Sequence, residues 1–244
     1  MDSTSVGDGE EDFFEETVWI AAPESLLEGQ LIYHPMVEAR EAVLLLSPHP
    51  HFAGTMDNNV IRSLSSSLPR AGYSVLRFNY PGVGGSSIEL AAGLSAFDYW
   101  DSVEKEQRFD AALVPALAAF DFLRQCLGPS LQRVHVVGYS FGAAVGLLLT
   151  HFRPMIPSVT AISMPWISRY SYGFLPACRG SKYFITGDRD FTYEPEVQAR
   201  VWPTIPEPKD FQLVDDDHFF RQSEERLAAR VVKNLLVAGE VRCQ

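Results

Sequence analysis

The sequence predicts an α/β fold: a single domain with a mostly parallel sheet flanked by helices on both faces. Three observations carry that expectation. Short apolar runs rich in β-branched residues alternate with longer segments of helical periodicity. One of these runs, VLLL (Val43 to Leu46), is apolar at every position, as a strand covered on both faces requires. No internal repeat and no linker rich in Gly, Ser or Pro divides the 244-residue chain, whose length suffices for one sizeable core.

Taken in order, TVWIA (Thr17 to Ala21) and LIYH (Leu31 to His34) read as an opening pair of strands, with Glu28 and Gly29 between them. After VLLL, a helix is expected from Asp57, a capping residue type, to about Arg70, with Gly72 marking its end. SVLRFN (Ser74 to Asn79) is the next strand, and about Arg108 to Leu127 the next helix, closed by Gly128 and Pro129. RVHVVG (Arg133 to Gly138) is a strand and Phe141 to about Thr150 a helix. VTAISM (Val159 to Met164), KYFIT (Lys182 to Thr186) and FQLVD (Phe211 to Asp215) follow as strands. A closing helix from about Ser223 to Ala238 sets Leu227, Val231 and Leu235 on one stripe.

Charge excludes some functions. Seven of the 31 acids and none of the 20 bases fall in the first sixteen residues, leaving 24 acids against 20 bases, a net −4, for the remainder. With no basic cluster or stripe, neither nucleic acid nor an anionic lipid surface is an expected partner. Residues 1–16 read as a disordered acidic leader or, alternatively, a partner-binding arm, ahead of a folded domain from 17 to 244. No membrane span, secretory signal or organellar presequence is expected. Three widely spaced cysteines without C-x-x-C pairing point to no disulfide framework and no zinc site, so a reducing, cytoplasmic setting is the expectation.

The chemistry centres on HVVGYSFGAAVGL (His135 to Leu147), which sets Ser140 between two glycines after a strand and before a helix. Ligands of parallel sheets gather at the carboxyl ends of the strands. A turn this sharp strains the central residue and pushes its side chain outward, and Gly138 and Gly142 remove the collisions that bulkier residues would make. It also directs the Phe141 backbone N–H, at a helix N-terminus, toward a developing oxyanion. A serine needs a base oriented by an acid. Of six histidines, His218 in VDDDHFF falls after the serine on the loop beyond the last strand. ITGDRDF (Ile185 to Phe191) offers Asp188 and Asp190 on the proper loop, and the residues alone do not separate them. Serine, then acid, then histidine is the chain order of α/β-hydrolases.

The second oxyanion donor belongs on the loop SPHPHFAGTMDNNV (Ser47 to Val60). Pro48 and Pro50 have no N–H, which leaves His49 and His51. An H-x-H metal reading with Asp57 lacks a third ligand at convincing spacing, and neither metal nor other cofactor is expected.

SPHPHFAGTMDN, VLRFNYPGVGGS (Val75 to Ser86), GYSFG, GDRD (Gly187 to Asp190) and HFF (His218 to Phe220) together resemble the α/β-superfamily hydrolases that carry H-P-x-x-x-x-G-G-[ST]-M-x-N and R-F-N-[FY]-x-x-V-G-x-S, which are similar to the dienelactone hydrolase and serine aminopeptidase groups. The resemblance runs from about residue 25 to 238. It implies an α/β-hydrolase fold, Asp190 as the acid, and the His49 backbone as the oxyanion donor. Ser47 stands where that pattern usually has histidine, Ala53 where it has its first glycine, and the stretch from Ser87 to Arg108 is longer than usual.

NYPGVGGS lacks the G-x-G-x-x-G spacing of a dinucleotide site and reads as a structural turn. Tyr99 and Trp100 in the 88–107 insertion are candidates for an acyl pocket or small lid, or for a cover packed on the body. PWISRYSYGFLPACRGS (Pro165 to Ser181) is too short for a cap domain, and Trp166, Tyr170, Tyr172 and Phe174 are candidates for one pocket wall or for core. The leading expectation is a serine hydrolase of small to medium acyl esters or thioesters acting through an acyl-enzyme. The alternatives are a serine peptidase or acyl transferase, and a non-catalytic protein of the same fold that binds a ligand or partner. Oligomeric state is not legible.

Overall fold

The computed structural model describes residues 13–38, 40–52 and 54–240, with Glu240 described by its backbone alone. The acidic residues up to Asp12, Ala53 and Cys243 lie outside the described residues. Among those described, eight strands form one sheet: β1 (Phe14–Ala22), β2 (Ser25–Tyr33), β3 (Glu41–Leu46), β4 (Ser74–Phe78), β5 (Arg133–Tyr139), β6 (Ser158–Ile162), β7 (Ser181–Gly187) and β8 (Lys209–Val214). Their spatial order is β1-β2-β4-β3-β5-β6-β7-β8. From β4 to β8 every pair is parallel, while β1 and β2 run antiparallel at one edge.

Period-two alternation divides the strands between two cores. Ala42, Leu44 and Leu46 of β3 face one cluster with Val136 and Leu76, whereas Val43 and Leu45 face another with Val75 and Val137. The first cluster is covered by α2 (Ala96–Glu106), α3 (Asp110–Leu127), α4 (Phe141–Phe152) and α5 (Pro195–Val201). The second is covered by α1 (Asn59–Ser67) and α6 (Glu224–Glu240), the latter through Leu227, Val231 and Leu235. No described helix is long and apolar enough to cross a membrane.

Three local readings are corrected. The first hairpin turns at Pro23 and Glu24, with Ala22 opposite Ser25, and Glu28 and Gly29 lie inside β2. Gly29 marks a close approach, since a Cβ there would come within 3.1 Å of the Arg77 carbonyl oxygen. The strand also begins earlier than expected, taking in Glu15 and Glu16, and Glu15 pairs with Arg77 at 2.8 Å. Asn58, not Asp57, caps α1, accepting from the Val60 N–H at 3.0 Å, because Asp57 is engaged by Arg77. The 88–107 insertion contains a full helix, α2, opened by a reciprocal capping box between Ser95 and Asp98. The short α5 was likewise not anticipated.

Candidate active site

β5 runs out of the core through Val136 and Val137 and ends in the turn that carries Ser140. Ser140 has φ +56° and ψ −118°, a conformation that costs a non-glycine residue about 1–3 kcal/mol. The tightness of the turn explains its glycines. A Cβ on Gly138 would lie 2.1 Å from the Gly142 carbonyl oxygen, and one on Gly142 would lie 2.3 Å from that of Leu46. The Ser140 N–H is anchored to the Ile162 carbonyl oxygen at 2.8 Å, and α4 begins at the next residue.

Asp190 stands on the turn after β7 and His218 on the loop after β8, both nearly inaccessible. His218 Nδ1 lies 2.8 Å from Asp190 Oδ1 and 2.9 Å from Oδ2. Thr192 donates to the same Oδ1 from its backbone N–H at 2.8 Å and its hydroxyl at 2.7 Å. Burial pushes the Asp190 carboxyl up, but the hydrogen bond and charge of His218, with the Thr192 N–H, outweigh it and hold the group below the ordinary value. Nδ1–H therefore points at a carboxylate, which leaves Nε2 as the free basic nitrogen. Asp188, the other acid the sequence offered, instead accepts from the Asp216 N–H at 3.2 Å and sits 3.6 Å from Arg189. No hydrogen bond joins the side chains of Ser140 and His218 in this arrangement, although both line one cavity. Such bonds are often long in ligand-free sites.

His49 and Phe141 border the same cavity, and neither backbone N–H has a hydrogen-bond partner among the described residues. The loop that carries His49 is folded on itself by the N–H groups of Phe52 and Gly54, which donate to the His49 carbonyl oxygen at 3.0 and 3.2 Å. β4 holds it from below. Asn79 accepts from the Met56 N–H at 2.8 Å, and Arg77 donates to the Met56 carbonyl oxygen at 2.9 Å. Both residues belong to the R-F-N motif, and from sequence Asn79 reads only as the start of a structural turn, with no specific contact for Arg77.

The cavity, of about 230 Å³, is lined by Ser140, His218, His49 and Phe141 together with Phe52, Ile167, Tyr170, Phe191 and Phe219. It also receives Glu104 from α2 and Arg169, which are paired at 3.0 Å. Tyr99, Trp100 and Trp166, expected as pocket residues, do not line it. Trp100 is buried under the site, its indole N–H donating to the Pro81 carbonyl oxygen at 2.8 Å. Trp166 is fully buried against Tyr172 and Phe184, and Tyr99 borders a separate hollow beside Arg108. Large aromatics bury the most apolar area, and the two indoles of Trp100 and Trp166 serve the core. Of the four pocket-wall candidates after β6, Tyr170 alone lines the cavity. A larger hollow of about 550 Å³ lies around Lys182 and Pro208, at the opposite end of β7, and holds none of these residues. Among the described residues, no three His, Cys, Asp or Glu side chains gather as a metal site.

Comparison with known proteins agrees with this architecture. An uncharacterized protein of Rickettsia prowazekii (strain Madrid E) is 29% identical over 222 residues, 88% of this chain and 86% of that one. The structure of a protein of unknown function from Agrobacterium tumefaciens superposes with a TM-score of 0.72 at 28% identity, covering 92% of this chain and 98% of its own. That of an alpha-beta serine hydrolase homologue from Coxiella burnetii does so with a TM-score of 0.73 at 21% identity, covering 90% and 97%, a likeness of fold. Residues 49–176, just over half of the chain, match the model of the alpha/beta hydrolase fold, and the chain belongs to that family.

Proposed function

We propose that this chain is a serine hydrolase of small to medium acyl esters or thioesters. The observation that carries the proposal is the convergence on one cavity of a strained Ser140 and of His218, whose Nδ1 is held by a buried Asp190 carboxylate. Ser140 Oγ attacks the acyl carbonyl carbon while His218 Nε2 takes its proton. Asp190 keeps the imidazole in the tautomer that leaves Nε2 basic and stabilises the imidazolium. The His49 and Phe141 backbone N–H groups, free of other partners among the described residues, receive the oxyanion. His218 then protonates the leaving alcohol or thiol, and water, deprotonated by the same nitrogen, releases the acid and restores Ser140. The narrow, largely aromatic cavity supports an acyl group of limited size over a peptide chain.

The test is fluorophosphonate labelling of the wild type beside Ser140→Ala and His218→Ala, with p-nitrophenyl ester turnover in parallel. Labelling and turnover lost in both folded variants support the proposal. A folded wild type that neither labels nor turns over leaves a binding protein of the same fold.

A further inference from the structure

Asp190 and His218 are each followed in the chain by an exposed phenylalanine. Phe191, next to the acid, is 71% exposed, and Phe219, next to the base, is 40% exposed. Both line the cavity that contains Ser140. Their ring centroids are 5.9 Å apart with the planes tilted by 34°, so the two rings make one aromatic wall. The wall stands beside the base, whose ring lies 4.7 Å from Phe191 and 5.6 Å from Phe219. Phe219 is held in place: its N–H donates to Asp217 at 2.8 Å, its carbonyl oxygen accepts from Asn59 at 2.9 Å, and the Arg221 guanidinium lies 4.8 Å from its ring. Phe52, the other exposed phenylalanine of the cavity, packs on His49 and His51 instead. Phenyl rings that stand in water in the free protein have apolar area to bury against a ligand.

Stereochemistry decides which part of an ester reaches this wall. In the tetrahedral intermediate the oxyanion points at the His49 and Phe141 N–H groups. The leaving oxygen or sulfur must come within about 3 Å of His218 Nε2 to receive its proton. The leaving group therefore emerges on the His218 side, where Phe191 and Phe219 stand, and the acyl group is directed away from the base.

We propose that Phe191 and Phe219 form the subsite for the leaving group, so that the site selects esters or thioesters of flat apolar alcohols or thiols, such as benzylic ones, over those of short alkyl alcohols. The inference rests on the serine-hydrolase reading and names the leaving-group class of its substrate.

The experiment uses two isomeric esters, benzyl acetate and methyl phenylacetate, which carry the same phenyl ring on opposite sides of the carbonyl. Each is measured against methyl acetate, in the wild type and in Phe191→Ala, Phe219→Ala and the double variant. Differences in intrinsic reactivity cancel when the ratio of kcat/KM to that of methyl acetate is compared between enzymes. The benzyl acetate ratio is expected to fall roughly tenfold in the double variant and about threefold in each single one, while the methyl phenylacetate ratio stays within about twofold. An unchanged benzyl acetate ratio in folded variants overturns the proposal. So does a methyl phenylacetate ratio that falls as far or further, which assigns the wall to the acyl group. If the double variant does not fold, Phe191→Ala decides by the same comparison, since Phe191 is the more exposed of the two. Turnover or fluorophosphonate labelling of the wild type without the expected ratios overturns this inference alone. Absence of both removes the hydrolase reading on which it rests.

Discussion

The Tyr139 hydroxyl donates to the His218 carbonyl oxygen at 2.8 Å, joining residues 79 positions apart. Tyr139 directly precedes Ser140, so the strand that presents the serine also sets the height of the loop that presents the imidazole. The two rings lie 5.5 Å apart, and the bond is buried. Tyr139→Phe keeps the ring and removes the donor, which strands a buried carbonyl at a cost of about 1–2 kcal/mol in urea unfolding. With the loop less constrained, kcat is expected to fall roughly tenfold with little change in KM. Unchanged kcat in a measurably destabilised variant would show that the bond serves the fold alone.

The two acids after β7 have different partners, Asp190 the His218 ring and Asp188 the Asp216 N–H, and paired substitutions separate them. Asp190→Asn keeps the shape but presents an amide to Nδ1, favouring the wrong tautomer of His218. On the proposed mechanism kcat drops on the order of a thousandfold to ten-thousandfold. Asp188→Asn retains an acceptor for the Asp216 N–H and is expected to stay within about threefold of wild type. Ester turnover of both variants, normalised to folded protein, checks this. A larger loss in the Asp188 variant would reassign the acid.

What could be read before the structure divides along physical lines. Fully apolar runs such as Val43 to Leu46 identify buried parallel strands because both faces of the sheet are covered, and the strained turn at Ser140 is legible because only glycine fits at 138 and 142. Choosing between Asp188 and Asp190 from residues alone was not possible, since both lie on one turn and only side-chain direction distinguishes them. α2 was missed because only Trp100 and Val103 of its eleven residues are buried, too narrow a stripe to stand out from a loop. The cavity wall was missed for another reason. Phe52, Phe191 and Phe219 come from three loops far apart in sequence, and no local pattern relates them.

Trp100 tests the corrected placement of the insertion. Its indole is 2% exposed, contacts the rings of Tyr80 and His49, and donates to Pro81. Trp100→Ala removes this packing and leaves the Pro81 carbonyl oxygen unpaired, so a loss of roughly 3–5 kcal/mol in unfolding free energy is expected. The chain-length preference for ester substrates should stay as in the wild type, since the side chain does not line the cavity. A shifted preference without a loss of stability would return Trp100 to the pocket.

Acid sensitivity follows from the same burial that keeps His49 neutral. Its folded pKa is lowered from 6.5 to about 4, first by desolvation, then by His51, with Asp101 opposing. The unfolded chain therefore binds this proton more readily than the folded one. The resulting stability is fully present above about pH 6.5 and is lost as pH falls toward 4. Between pH 7 and 4.5 the loss from this group is on the order of 2–3 kcal/mol. The Asp190 carboxylate is also held below its ordinary value, but its contribution disappears only at lower pH, as the unfolded carboxyl begins to protonate near pH 4. Urea unfolding of wild type and His49→Phe at pH 7, 5.5 and 4.5 isolates the histidine. The wild type should lose more stability than the variant across that range. Parallel losses in the two proteins would mean that His49 is protonated as easily in the folded state as in the unfolded one, contrary to its closed environment between Phe141 and Trp100.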